Sequence, residues 1–143
     1  MQVREVMSAA PASVPPDASI ASVAVQMRDL DIGFLPVCDG DRVVGTVTDR
    51  DIVVRTVAAR ADPSLRTVFD AMTADVVACH ADDSIEEAAE RMAERQVRRL
   101  VVLDRDQKLV GVVSLGDLST RTHDERVSAA TLEAVSEDRV LPI

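Results

Sequence analysis

The stretch Gly45-Thr46-Val47-Thr48-Asp49-Arg50-Asp51 returns later in the chain as Gly111-Val112-Val113-Ser114-Leu115-Gly116-Asp117. Both copies read glycine, two strand-forming residues, a hydroxyl, two variable residues and an aspartate. Each closes a strand-like run, Arg42 to Val47 or Lys108 to Val113. Hydroxyl and carboxylate three residues apart belong to one helical turn, so each stretch marks a place where a strand becomes a helix. A turn that occurs twice points to a duplicated unit, and a repeat constrains the fold more than any single element does.

Working outward, the duplication spreads over most of the chain. Val3-Arg4-Glu5-Val6-Met7-Ser8 returns as Val68-Phe69-Asp70-Ala71-Met72-Thr73, 65 residues on. Asp17, Ser19, Ile20 and Met27 recur as Asp82, Ser84, Ile85 and Met92 at the same spacing. Between the two strands of a predicted hairpin the spacing grows to 66, so the second copy carries one extra turn residue. Ile20, Val23, Ala24 and Met27, and again Ile85, Ala88, Ala89 and Met92, fall at helical spacing and predict one buried stripe per helix. Ser84 and Glu87 form a capping box, while Glu86, Glu90, Arg91 and Glu94 make the solvated face. Phe34-Leu35-Pro36-Val37, a turn at Asp39-Gly40-Asp41 and Arg42 to Val47 predict a hairpin, with Leu100 to Leu103 and Lys108 to Val113 as its twin. Pro36 has no N–H to donate, so its strand lies at an edge or is open on one side. The segment from Asp51 to about Arg60 is rich in β-branched residues, yet its cap and its place in the repeat predict a helix. Past Leu118 the repeat ends. The tail from His123 to about Glu137 is weakly amphipathic, either a helix docked on a partner subunit or a frayed terminus.

Composition bounds the rest. The 143 residues are 47% hydrophobic and 29% charged, which is globular. There is no Trp or Tyr and only two Phe, so aliphatic side chains must fill the interior. A formal charge of −9 disfavours nucleic acid or an anionic membrane as partner, leaving room only for a local basic pocket. No apolar run approaches the roughly 18 residues of a membrane span, and the N-terminus lacks a signal-peptide core, so the expectation is cytoplasmic. Cys38 and Cys79 make no disulfide framework, and with His80 and His123 they offer no metal-ligand spacing. No metal is expected.

The lead-in Val-x-acidic-x-Met-Ser/Thr, the Ser-Ile helix start, Gly33-Phe34-Leu35-Pro36-Val37 and both Gly-x-x-Thr/Ser-x-x-Asp turns, in that order and twice, resemble a tandem pair of cystathionine-β-synthase-type (CBS) domains, or Bateman module. The resemblance covers about Val3 to Ser119 and is to the stand-alone bacterial kind. It implies an α+β fold of two helix–hairpin–helix repeats packed with pseudo-twofold symmetry: residues 1–60, a linker at 61–67, residues 68–119, and a tail at 120–143, possible helix included. It also implies clefts between the repeats for an adenine nucleotide (AMP, ADP, ATP, NAD or S-adenosylmethionine), no obligatory cofactor, and a homodimer. Asp51 and Asp117 would take the ribose hydroxyls, and Thr48 and Ser114 would reach phosphate.

The chemistry suits those roles. A carboxylate accepts both hydrogens of a diol, and a hydroxyl beside unsatisfied backbone N–H groups suits a phosphate. The same residues also serve as helix caps, a role worth about 1 kcal/mol, and both roles stay open. Glycine at the strand end lets either a ligand or neighbouring backbone approach closely. Arg98 and Arg99, aligned with Gly33 and Phe34, and Arg50 are the candidate phosphate cations; a solvated pairing with Glu94 and Asp104 is the plainer role for the first two. In the related family a His-Arg pair followed by an apolar residue and Pro is usual, and Arg98-Arg99-Leu100-Val101 departs from it; the first copy offers no charge at the matching Gly33 and Phe34, so the two sites should differ. Pro36 and Phe34 are placed to flank an adenine, though Phe34 fits an ordinary core equally well, and Gly33 is a further candidate ligand contact. The expected function is a nucleotide-binding sensor acting on an unidentified regulated protein, in signalling or metabolism. The alternative is a dimeric interaction module with unoccupied clefts. An enzyme is not expected, because neither His80 nor His123 is spaced against a nucleophile.

Overall fold

The computed structural model describes residues 1–121 and 125–136, the side chains of 125–128 excepted. Its elements are mixed α and β: strands β1 (Ser8–Ala9), β2 (Phe34–Asp39), β3 (Arg42–Thr48), β4 (Ala78–His80), β5 (Arg99–Leu103) and β6 (Leu109–Ser114), with helices α1 (Ile20–Leu30), α2 (Asp49–Ile52), α3 (Ile85–Arg95), α4 (Leu115–Arg121) and α5 (Glu125–Val135). The lead-in segments form single 3-10 turns at Val3–Glu5 and Val68–Asp70.

The compact units are not the sequence copies. Met1–Pro11 packs with Val77–Ile143, and Ala12–Val76 forms the other unit. Each lead-in therefore completes the hairpin of the other copy rather than its own. The reason lies in the hydrogen bonds. In the unit built on the second hairpin, Val3 N donates to Asp83 O and Arg4 N to Ala81 O, while Ser8 pairs with Val112 at the sheet edge. In the other unit Val68 N donates to Ala18 O, Phe69 N to Pro16 O, and Thr73 bridges Thr46. Each bond in one unit has a counterpart in the other at the spacing of the repeat.

Met1–Pro11 and the chain from Val77 build a four-stranded sheet in the order β1-β6-β5-β4, with β4 parallel to β5 and the other pairs antiparallel. Its core sets Ile85, Ala88, Ala89 and Met92 of α3 against Val3, Val6, Leu100, Val113 and Leu118. All four stripe residues of α3 are buried, and Ser84 and Glu87 exchange side-chain and backbone hydrogen bonds as a capping box. The described part of the tail, α5, packs on α3 and α4 of its own unit, with Thr131 buried and Val135 against the core. His123, Glu137 and the side chain of Val127 lie outside the described residues.

Ala12–Val76 repeats the plan with β2 and β3, plus single bridges where β4 and β1 pair in the other unit. Its core includes Val23 and Met27 from α1 and Leu35, Val37 and Val47 from the hairpin. Ile20 is buried as well, but Ala24 is exposed, so the α1 stripe is one residue narrower than its spacing predicts. On α3 the matching Ala89 is buried where α5 packs on that helix; Ala12–Val76 contains no counterpart of α5. Pro36 O accepts from Val14 N and Cys38 N donates to Val14 O, so the missing Pro36 N–H faces the side where β2 has a single bridge. Both hairpins carry a bulge at the matching place, Val37/Cys38 and Val102/Leu103, and the extra residue of the second copy sits in its turn. The helix after β3 starts as predicted, then widens into a π turn over Val53–Val57 that buries Thr56.

The glycines of the duplicated stretch explain how the lead-ins dock. A Cβ on Gly111 would stand 2.5 Å from Met7 Sδ and 3.0 Å from Ser8 O; on Gly45 it would stand 2.7 Å from Met72 Sδ and 2.9 Å from Thr73 O. Neighbouring backbone, not open space, occupies the room glycine leaves. Gly111→Ala should therefore destabilise the chain by about 1–3 kcal/mol through overpacking. Adding Met7→Ala should recover part of that loss, so a urea-unfolding double-mutant cycle should be non-additive; additive losses would mean the contact does not bear on Gly111.

Candidate functional site

Both hydroxyl–aspartate turns form as reciprocal caps. Asp51 N donates to Thr48 Oγ1 (3.1 Å) and Thr48 N to Asp51 Oδ2 (2.9 Å). Asp117 N donates to Ser114 Oγ (3.0 Å) and Ser114 N to Asp117 Oδ2 (2.9 Å). One carboxylate oxygen of each aspartate thus holds the turn, and the other faces an arginine four residues on: Arg55 lies 3.7 Å from Asp51 Oδ1, and Arg121 3.7 Å from Asp117 Oδ1.

Those arginines were missed in the sequence reading. Arg55 Nη1 donates to Ala71 O (2.8 Å), Met72 O (2.9 Å) and Thr73 Oγ1 (3.1 Å), and Arg121 Nη1 donates to Val6 O (3.1 Å) and Met7 O (3.3 Å). Each one ties its turn to the lead-in docked beside it. The signal was available, since Asp-x-x-x-Arg occurs in both copies at the spacing of the repeat.

In the unit containing the second hairpin, Arg98, Arg99 and Ser114 line one cavity of about 610 Å³ together with Leu115, Gly116, Ser119, Ala129 and Leu132. Asp117 is outside that lining, its carboxylate turned to the cap. Arg98 Nη2 donates to Ser136 Oγ (3.3 Å), and its carbonyl accepts from Leu115 N (2.8 Å), which fixes the start of β5 against the start of α4. In Ala12–Val76, Thr48 and Asp51 come together but the other candidates are placed differently. Arg50 is exposed and its N donates to Asp49 Oδ1; Pro36 is buried in β2; a Cβ on Gly33 would stand 2.8 Å from Asp49 Oδ2. The closeness at Gly33 is to the chain's own Asp49.

Neither cysteine is poised as a thiolate. Burial, with Asp83 adding to it, pushes the Cys79 thiol up to about 12, and burial raises Cys38 as well. Among the described residues, no three His, Cys, Asp or Glu side chains group as metal ligands, and no helix is long and apolar enough to cross a membrane.

Comparison with known proteins matches the CBS domain family model twice, at residues 3–56 and 68–123. The chain is 32% identical over 138 residues to the CBS domain-containing protein YhcV of Bacillus subtilis, covering 96% of this chain and 97% of that one. It is 38% identical over 117 residues to Hypoxic response protein 1 of Mycobacterium tuberculosis, 81% of each chain. Among solved structures it is similar to Hypoxic Response Protein I with two coordinated zinc ions (TM-score 0.76, 37% identity, 83% of this chain and 97% of that one). It is also similar to the CBS domain protein PAE2072 from Pyrobaculum aerophilum complexed with AMP (TM-score 0.78, 26% identity, 92% and 98%).

The arginine ties make a stability prediction. Arg121→Met keeps the aliphatic stem but strips the lead-in carbonyls of their charged donor, which should cost about 1–2 kcal/mol given the partial exposure of the group. Arg28→Met, on the solvated end of α1, should change the urea midpoint little. Equal midpoints for the two variants would remove the tie from the account.

Proposed function

This chain belongs to the CBS-domain family, with two such domains in tandem, and from that premise we propose that it is a regulatory module that binds an adenine nucleotide and relays its occupancy to a partner protein. The observation that carries the reading is the cavity that gathers Arg98, Arg99 and Ser114. Two guanidiniums and a hydroxyl in one recess of a chain with net charge −9 suit a phosphate, and the volume suits a mononucleotide. The AMP complex of PAE2072 supports the choice of nucleotide.

In this reading Ser114, Arg98 and Arg99 take the phosphate, and Asp117 accepts from the ribose with the oxygen that faces Arg121. Thr48 and Asp51 are the counterparts in the other unit, with Arg50 as cation and Gly33 and Pro36 on the base side. That unit is the poorer site, because Asp49 already fills the space at Gly33 and Pro36 is buried. The two sites therefore bind unequally. For the partner, a homodimer or a regulated protein, the supporting feature is the row Val53, Val54 and Val57 exposed after α2. No reaction is assigned to the chain. Its setting is the cytoplasm.

Calorimetric titration with AMP, ADP, ATP and NAD should give one dominant site. Ligand at about 100 times its dissociation constant should add about 2.7 kcal/mol to stability. Asp117→Asn should weaken the dominant site tenfold or more, while Asp51→Asn touches mainly the weaker one. No heat and no thermal shift with any of the four nucleotides would sink the proposal.

A further inference from the structure

The cavity beside Arg98 has a second wall that belongs to neither duplicated unit of sequence. Ala129 and Leu132 come from α5, beyond the end of the repeat, and line the recess together with Leu115 of α4. Leu132 is 47% exposed, while its helix neighbours Thr131 and Val135 face inward. A leucine that borders a cavity and remains half in water has apolar surface left for a ligand to cover. The recess thus offers both cationic and aliphatic side chains in a space of about 610 Å³.

We infer that α5 holds the adenine ring of the nucleotide bound beside Arg98 and Arg99, with Leu132, Ala129 and Leu115 as the surfaces that cover its faces. This rests on the nucleotide-binding function proposed above and adds to it the residues that select the base. The lining residues of the recess include no aromatic side chain, so an adenine here lies against aliphatic ones. Among the described residues of Ala12–Val76 there is no helix in the place of α5, so base selection belongs to one site only. The arrangement also links the phosphate contact to the tail helix, because Arg98 is hydrogen bonded to Ser136 at the end of α5.

The test compares AMP with ribose 5-phosphate, which has the same sugar and phosphate without the base. Titrations use the full chain carrying Asp51→Asn, so that the site beside Arg98 is read alone. That protein should prefer AMP over ribose 5-phosphate by tenfold or more. Adding Leu132→Glu should erase most of the preference by lowering AMP affinity, and Leu132→Met should keep it. Matching circular dichroism and thermal midpoints establish that the variants fold; a Leu132→Glu chain that fails to fold is replaced by Ala129→Glu, with the same expectation. AMP binding unchanged by the glutamate, or an equal loss for both ligands, overturns the role of α5 and leaves the nucleotide proposal standing. Absence of AMP binding before the α5 substitutions, and in the chain without Asp51→Asn, overturns both.

Discussion

Met7 lying on Gly111, and Met72 on Gly45, is the contact on which the rest of the architecture depends. At each place a strand residue without a Cβ lets the sulfur and backbone of a lead-in segment come within a distance no side chain would permit. The lead-in then extends the hairpin by backbone pairing and meets the arginine that leaves the following helix. Sheet edge, glycine and guanidinium form one connected set. Removing the close approach would loosen the strand, the lead-in and the turn between them together.

That set also determines the posture of the hydroxyl–aspartate turns. Thr48 and Asp51, like Ser114 and Asp117, satisfy each other's backbone groups, and the arginine restrains the second carboxylate oxygen. A turn held in this way is already ordered, and under the proposed nucleotide binding it would need little rearrangement, which keeps the ordering cost low. The units diverge in what surrounds the turn. Around Ser114 there is a recess with two arginines and a wall from α5; around Thr48 the chain's own Asp49 crowds Gly33. The two turns are alike, and what surrounds them is not.

Much of this was readable from the chain. The repeat, both hairpins, the α3 stripe and the caps follow from local spacing, because 3.6- and 2-residue periods and cap chemistry are local properties. The exchange of lead-ins was not readable, since a segment of six residues pairs equally well with either hairpin of a duplicated chain. Ala24 looked buried because its spacing matches Ala89, yet spacing does not reveal that α5 packs on the α3 side of the duplication. The π turn at Val53–Val57 is not distinguishable from ordinary helix in the sequence, because the valines exposed there give no sign of the wider turn in their own pattern. Of the candidate site, the turns and the arginine pair were legible as separate motifs. The meeting of Ser114 with the arginine pair in one recess, and the place of α5 in its lining, depend on tertiary placement that no motif encodes.

The most direct measurement is an amide-resolved nuclear magnetic resonance titration of the whole chain with AMP. The account predicts that the first and largest shifts fall on Arg99, Ser114, Leu115, Gly116 and Asp117, with the Thr48–Asp51 turn responding later at higher ligand. Shifts that begin at the exposed valines after α2, or that leave the Ser114–Asp117 turn unmoved at saturation, would contradict it.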